Sequence, residues 1–122
     1  MDEKELNSLN KCVSYMRKNI SPDWQIQQLH MLLVIAINHP EGITQPDLAK
    51  ECKMEQGPVS RNCQALALKA REGKDGNKEI LGHDLIYMTP DIFYRRQLNC
   101  RLTPKGEKTI KEMLSFFKDT EK

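Results

Sequence analysis

The sequence lacks any long hydrophobic run: its longest unbroken nonpolar stretch, Met31 to Ile37, is seven residues, far short of the ~20 a helix needs to cross a bilayer. A membrane helix is therefore not expected. Met1-Asp2-Glu3-Lys4-Glu5 carries net negative charge and leads into no nonpolar segment. That is the reverse of a secretory signal, so the expected address is the cytoplasm. Cysteine is sparse, and Cys12, Cys52, Cys63 and Cys100 show no paired spacing. This argues against a zinc ribbon or a disulfide scaffold and for reduced, mostly buried thiols. His30, His39 and His83 lie equally far apart, so no metal site is expected. A P-loop, a dinucleotide fingerprint and a nucleophile elbow are all missing, and neither an enzyme nor a cofactor is expected. The chain also contains no internal repeat and no low-complexity tract.

What is present fits one domain. The 122 residues, 30% charged and 39% nonpolar, supply enough Leu, Ile, Val and Met for one core with extended helical arms. A net charge of +2 does not by itself imply a nucleic-acid partner. Its distribution says more: residues 1–10 hold Asp2, Glu3 and Glu5 against Lys4, whereas 95–105 hold Arg95, Arg96, Arg101 and Lys105 with no acid.

Leu6, Leu9, Val13, Met16 and Ile20 recur at three- and four-residue spacing, the seam of a helix that packs on a partner helix. Ser21 and Pro22 then read as N-cap and first residue of a second helix, nonpolar nearly all round from Trp24 to Asn38 and ended by His39-Pro40-Glu41-Gly42. Thr44 caps a short third helix running to Glu51, with Pro46 in its first turn and Asp47 in the capping-box position. After the tight connection Cys52-Lys53-Met54, a fourth helix is expected from about Gln56 to Ala70. It buries Val59, Cys63, Leu66 and Ala70 and turns Gly57, Ser60, Arg61, Gln64 and Leu68 to the other side. Arg71 to Gly82, rich in Lys, Gly, Asp and Asn, reads as an exposed loop.

Leu85 to Met88 suits a strand, and Gln97 to Leu102 alternates. Leu98, Cys100 and Leu102 should face inward, with Gln97, Asn99 and Arg101 outward. The intervening Thr89 to Arg96 is longer than a tight turn, so the hairpin tip should project. Thr103-Pro104 starts a last helix with Ile110, Met113, Leu114 and Phe117 on one stripe.

Two short helices joined by a three-residue turn, the second showing small and polar side chains at its amino end, form a helix-turn-helix pattern. Ala49 stands where the helices cross, and Val59 where the second packs back on the first. With the hairpin Asp91-Ile92-Phe93-Tyr94-Arg95-Arg96 running on to Cys100, Leu102-Thr103 and Gly106, nearly the whole chain resembles the MarR family of winged-helix transcriptional regulators. Ile43-Thr44-Gln45, Leu48-Ala49 and Val59-Ser60-Arg61 match that family's helix-turn-helix. Departures are Lys53 where such turns often carry Gly, Tyr94 where the family usually has a second Asp, Glu55 in place of a Ser-type cap, and the long loop 71–82 where many members are compact.

The resemblance implies a mainly α fold with a small β-hairpin wing over residues 1–122, flanked by dimerisation helices at about 1–20 and about 104–120. It further implies a homodimer on a palindromic duplex site. The side chains fit duplex DNA on their own chemistry. Arg61 and Gln64 suit guanine and adenine edges, and Ser60 and the amides near Gln56 and Gly57 suit phosphates; by the resemblance, Thr44 and Gln45 at the start of the third helix belong to the DNA-binding set as well. Arg95 and Arg96 can enter a minor groove or clamp phosphates. Asp91 either orients one of them or stabilises the turn. Leu6, Leu9, Val13, Met16, Ile20, Ile110, Met113, Leu114 and Phe117 are the expected dimerisation residues. Trp24 and Met31 could border a small-molecule effector pocket, although packing is the simpler role for them, as it is for Cys12 against redox sensing. The competing reading is a winged helix used as a protein-interaction module in a replication or phage-type assembly.

Overall fold

A computed structural model describes residues 2–72, 76 and 78–118; side chains are described throughout except at 69–72 and 78–80. Its helices are α1 (Glu3–Asn19), α2 (Ile26–Ile37), α3 (Gln45–Cys52), α4 (Gln56–Leu66) and α5 (Pro104–Ser115). Its strands are β1 (Ile43–Thr44), β2 (Lys69–Glu72), β3 (Lys78–Leu81), β4 (Ile86–Pro90) and β5 (Leu98–Leu102). Strands β1, β5 and β4 form one antiparallel sheet with β5 central, and β2 and β3 form a separate hairpin.

Local chemistry explains the helix starts. The Asp2 carboxylate caps α1 by accepting from Lys4 N at 2.9 Å. Thr44 Oγ1 accepts from Asp47 N at 3.3 Å, and Thr103 Oγ1 accepts from Gly106 N at 2.9 Å, each with Pro in the first turn. Gly106 has a second reason to be glycine: a Cβ there would lie 2.0 Å from the Leu85 carbonyl oxygen, so α5 can reach the sheet only without a side chain at this position.

One core is formed by Met31, Leu32 and Ile35 of α2, Leu48 and Ala49 of α3 and Val59, Cys63 and Leu66 of α4. These pack against Leu85, Ile86, Cys100 and Leu102 of the sheet region. Ala49 at the α3–α4 crossing and Val59 on the inner face of α4 stand where their spacing places them. A smaller cluster, Cys12, Met16 and Met113, joins α1 to α5, with the Tyr15 and Phe116 rings 5.7 Å apart beside it.

Several features differ from the sequence expectation. Helix α2 begins at Ile26, not Ser21. Ser21 makes a local turn instead, its hydroxyl accepting from Asp23 N and its carbonyl from Trp24 N, which lets Trp24 pack against the core. The ends of α2 are wet, Ile26 and Ile37 being exposed. Helix α4 stops at Leu66, short of Ala70, because Ala67 is drawn into an extended bridge with Ile86 and Leu66 O accepts from Leu85 N. Tertiary pairing thus overrides the helix propensity of the run. The stretch 71–82 belongs partly to the β2–β3 hairpin, with residues 73–75 and 77 and the side chain of Ala70 outside the described residues. Finally, Asn99 is buried and Leu98 is exposed, the reverse of strict alternation. As β5 is the central strand, Asn99 pairs with Thr44 of β1 and donates from Nδ2 to Glu41 O at 3.1 Å. Helix α5 likewise ends early, at Ser115 with Phe116 as its C-cap and not near 120; residues 119–122 lie outside the described residues.

Candidate nucleic-acid interface

Helices α3 and α4 are joined by a turn in which Lys53 takes the left-handed conformation (φ 53°) that its expected Gly would adopt freely. Met54 N closes the turn on Ala49 O at 2.9 Å. Beyond it, Glu55 precedes α4 without making a side-chain cap. Gln56 and Gly57, at the exposed amino end, carry the first amides of the helix. Arg61 is about 200° around the helix from the buried Val59, so it faces solvent as expected. Gln64 is also exposed and Ser60 half-buried. Gly57 keeps the surface low beside Arg61: a Cβ there would make only an ordinary 3.4 Å contact with Arg61 Nη1. Gln28 Nε2 donates to Asn62 Oδ1 at 3.0 Å and ties the side of α4 to α2.

The third-helix candidates separate. Thr44 is half-buried, its hydroxyl occupied by the cap. Gln45 points inward and is only 7% exposed, its Nε2 donating to Met88 Sδ at 3.2 Å. Its side chain is a packing element beneath the wing, which withdraws it from the expected DNA-facing set. In the same layer Cys63 and Cys100 Sγ atoms lie 3.9 Å apart. The hydrogen bond to Cys100 and then burial hold the Cys63 thiol well above its ordinary pKa. Burial also raises Cys12, the wrong direction for a reactive thiolate.

The wing joins β4 to β5 through Asp91–Gln97. Asp91 Oδ2 accepts from the amides of Phe93 and Tyr94, both at 3.1 Å, and the backbone closes by Asp91 N to Gln97 O and Gln97 N to Tyr94 O, both 2.8 Å. Of its two open roles, Asp91 takes the turn-stabilising one, and among the described residues it has no hydrogen bond or ion pair with an arginine. The basic run 95–105 also divides. Arg101 donates from Nε to Pro40 O at 3.0 Å and from Nη1 to Thr89 Oγ1 at 3.1 Å, and Lys105 Nζ donates to His83 O at 3.0 Å, so these two cations fasten the fold. Arg95 and Arg96 are exposed and, like Arg61, their guanidinium groups have no hydrogen-bond or ion-pair partner among the described residues. The roles of Arg101, Asn99 and Gln45 depend on partners far apart in sequence, and no local signal marks them.

The seam of α1 also departs from expectation. Met16 is buried and Ile20 half-buried within the chain, where Ser8 and Cys12 share the inner face, whereas Leu6, Leu9 and Val13 remain exposed. On α5, Met113 is buried, Ile110 is half-buried and Leu114 is exposed, while Phe117, just past the end of the helix, is half-buried. Trp24 borders an apolar cleft of about 220 Å³ with Val13, Met16, Ile26 and Leu29. Met31 is wholly in the core. Among the described residues no group of three or more His, Cys, Asp or Glu side chains could hold a metal, and no helix is long and apolar enough to cross a membrane.

An α3–turn–α4 pair beside a β4–β5 wing, flanked by α1 and α5, is a winged helix-turn-helix. Its structural neighbours are MarR-family regulators. A mutant of MepR from S. aureus, solved bound to an oligodeoxyribonucleotide, is 23% identical and covers 96% of this chain and 72% of its own, with a TM-score of 0.66. An E. coli MarR mutant complexed with operator DNA is 18% identical, covers 93% of this chain and 70% of its own, and has a TM-score of 0.60. YusO from Bacillus subtilis is 19% identical over 94% of this chain and 68% of its own, also with a TM-score of 0.60. No family sequence model and no curated protein matches the sequence.

Proposed function

We propose that this chain is a MarR-type transcription regulator, not an enzyme, that binds duplex DNA as a homodimer on a palindromic site in the cytoplasm. The observation that carries this reading is the division of the basic residues: Arg101 and Lys105 fasten the fold, while Arg61 on α4 and Arg95 and Arg96 on the wing have no hydrogen-bond or ion-pair partner among the described residues. Two structural neighbours with the same fold were solved on DNA, which supports assigning the free cations to that partner. In this reading α4 enters a major groove, Arg61 and Gln64 meet base edges, and Ser60 with the amides of Gln56 and Gly57 holds phosphate. The wing arginines lie along the adjacent backbone and minor groove. Thr44 and Asp91 contribute by fixing α3 and the wing turn.

The exposed Leu6, Leu9, Val13 and Leu114 support dimerisation through α1 and α5, because a stripe on that scale is better covered by a second copy than left in water. The apolar cleft beside Trp24 borders the same layer and is where a small-molecule effector would couple to dimer geometry. Selection of bound sites from random duplex, followed by titration against salt, tests the reading. It predicts a palindromic consensus and an affinity that falls linearly on logarithmic axes as salt rises. Absence of any salt-dependent duplex affinity would favour the protein-interaction module instead.

A further inference from the structure

The wing tip carries Ile92, Phe93 and Tyr94 in succession, and they are 82%, 86% and 65% exposed. Nothing among the described residues covers them, although the tip itself is well braced. The Asp91 carboxylate holds the Phe93 and Tyr94 amides, and Gln97 closes the loop from both of its backbone groups. A braced backbone therefore presents large apolar side chains to solvent, directly ahead of Arg95 and Arg96, whose charges have no partner among the described residues. The complement of an apolar point backed by two free cations is a slot with anionic walls and an apolar interior. The minor groove offers both once a base step opens: phosphates line its two rims, and behind the polar base edges of its floor lie the stacked faces that an apolar wedge can enter.

We infer that Phe93, with Ile92 beside it, is an apolar wedge that enters the minor groove and partly unstacks one base step, while Arg95 and Arg96 hold the phosphate rims. This rests on the DNA-binding reading above and extends it to how the wing acts. Apolar wedges of this kind kink a duplex toward its major groove, the groove assigned here to α4. Pyrimidine–purine steps unstack most easily, so the wedge confers a preference for such a step under the wing without any hydrogen bond to a base.

The test uses the intact protein and the variants Phe93→Ser and Phe93→Leu, with a duplex recovered from a random pool by the intact protein and 2-aminopurine placed in turn through its flanks. The side chain is solvent-exposed, so both variants should keep the native circular dichroism. The intact protein and Phe93→Leu should raise 2-aminopurine emission at one step in each half-site. Phe93→Ser should lose that rise and bind about tenfold more weakly, most of all on duplexes with a pyrimidine–purine step there. Equal affinity and equal emission for Phe93→Ser would overturn the wedge, as would an altered sedimentation with unaltered DNA binding, which would make the tip a protein-docking point. If the intact protein binds duplex in an Arg61-dependent way but emission stays flat, the wedge alone falls. If it binds no duplex, the DNA-binding reading falls with it.

Discussion

The unit built from α2, α3, α4 and the sheet differs from the α1–α5 layer in how completely it buries its own apolar surface. In the first, Met31, Leu32, Ile35, Leu48, Val59, Leu66, Leu85, Ile86 and Cys100 are nearly or wholly inaccessible. In the second, only Cys12, Met16 and Met113 form a buried cluster, and Leu6, Leu9, Val13 and Leu114 stay in solvent. The first unit is complete within one chain. The second leaves apolar side chains in solvent, and under the homodimer proposed above the difference would separate residues that hold one winged helix together from residues that join two of them.

Substitutions can break this contrast from either side. The largest effect is expected in the complete unit: Leu48→Ala removes a fully buried side chain and should cost ~2–5 kcal/mol of stability, read as a lower urea midpoint with an unchanged slope. In the open layer, Leu9→Asp with Val13→Asp should leave the fold intact. It should abolish self-association in sedimentation and weaken binding to a two-half-site duplex on the order of 100-fold, because the second half-site is no longer linked to the first. A smaller effect is expected at the wing. Arg95→Ala with Arg96→Ala should lower affinity for all duplexes and reduce the salt slope by about 0.9 for each phosphate that is no longer neutralised, measured by titration across ionic strength.

The smallest effect concerns His83, where α5 and the sheet meet α1 beside a cleft of about 390 Å³. Burial, and then the Lys105 charge, hold its imidazole below the ordinary value of 6.5. The unfolded chain therefore takes up a proton at His83 more readily than the folded protein does. Its contribution to stability is fully present above 6.5 and is lost as pH falls through the folded-state value. His83→Gln should flatten this part of the stability profile. The fluorescence of Trp24, the single tryptophan, follows the transition from an edge-on ring 6.5 Å away.

The same contrast marks how much could be read in the sequence. Features set within a few residues were legible: the Thr44 and Thr103 caps, the outward direction of Arg61 opposite Val59, and the projecting tip between Thr89 and Arg96. Features set by distant partners were not. Gln45 resembles a helix-start contact until Met88, on a strand more than forty residues later, takes its amide. Asn99 breaks the alternation because β1 covers that side of β5 and Glu41 supplies its acceptor. The helical run after Leu66 yields to a bridge with Ile86. Arg101 and Arg95 look alike in sequence, and only tertiary packing shows that one is fastened while the other has no partner among the described residues.

The central claim, that the outer face of α4 reads DNA, is tested most directly by Arg61→Ala measured in parallel on a selected duplex and on random duplex. The side chain is exposed and without a partner among the described residues, so urea stability should stay within about 0.5 kcal/mol of the intact protein. Loss of a two-hydrogen-bond pairing with guanine should weaken the selected site by ~1–3 kcal/mol more than random DNA. An equal loss on both duplexes, or no loss on either, would contradict it.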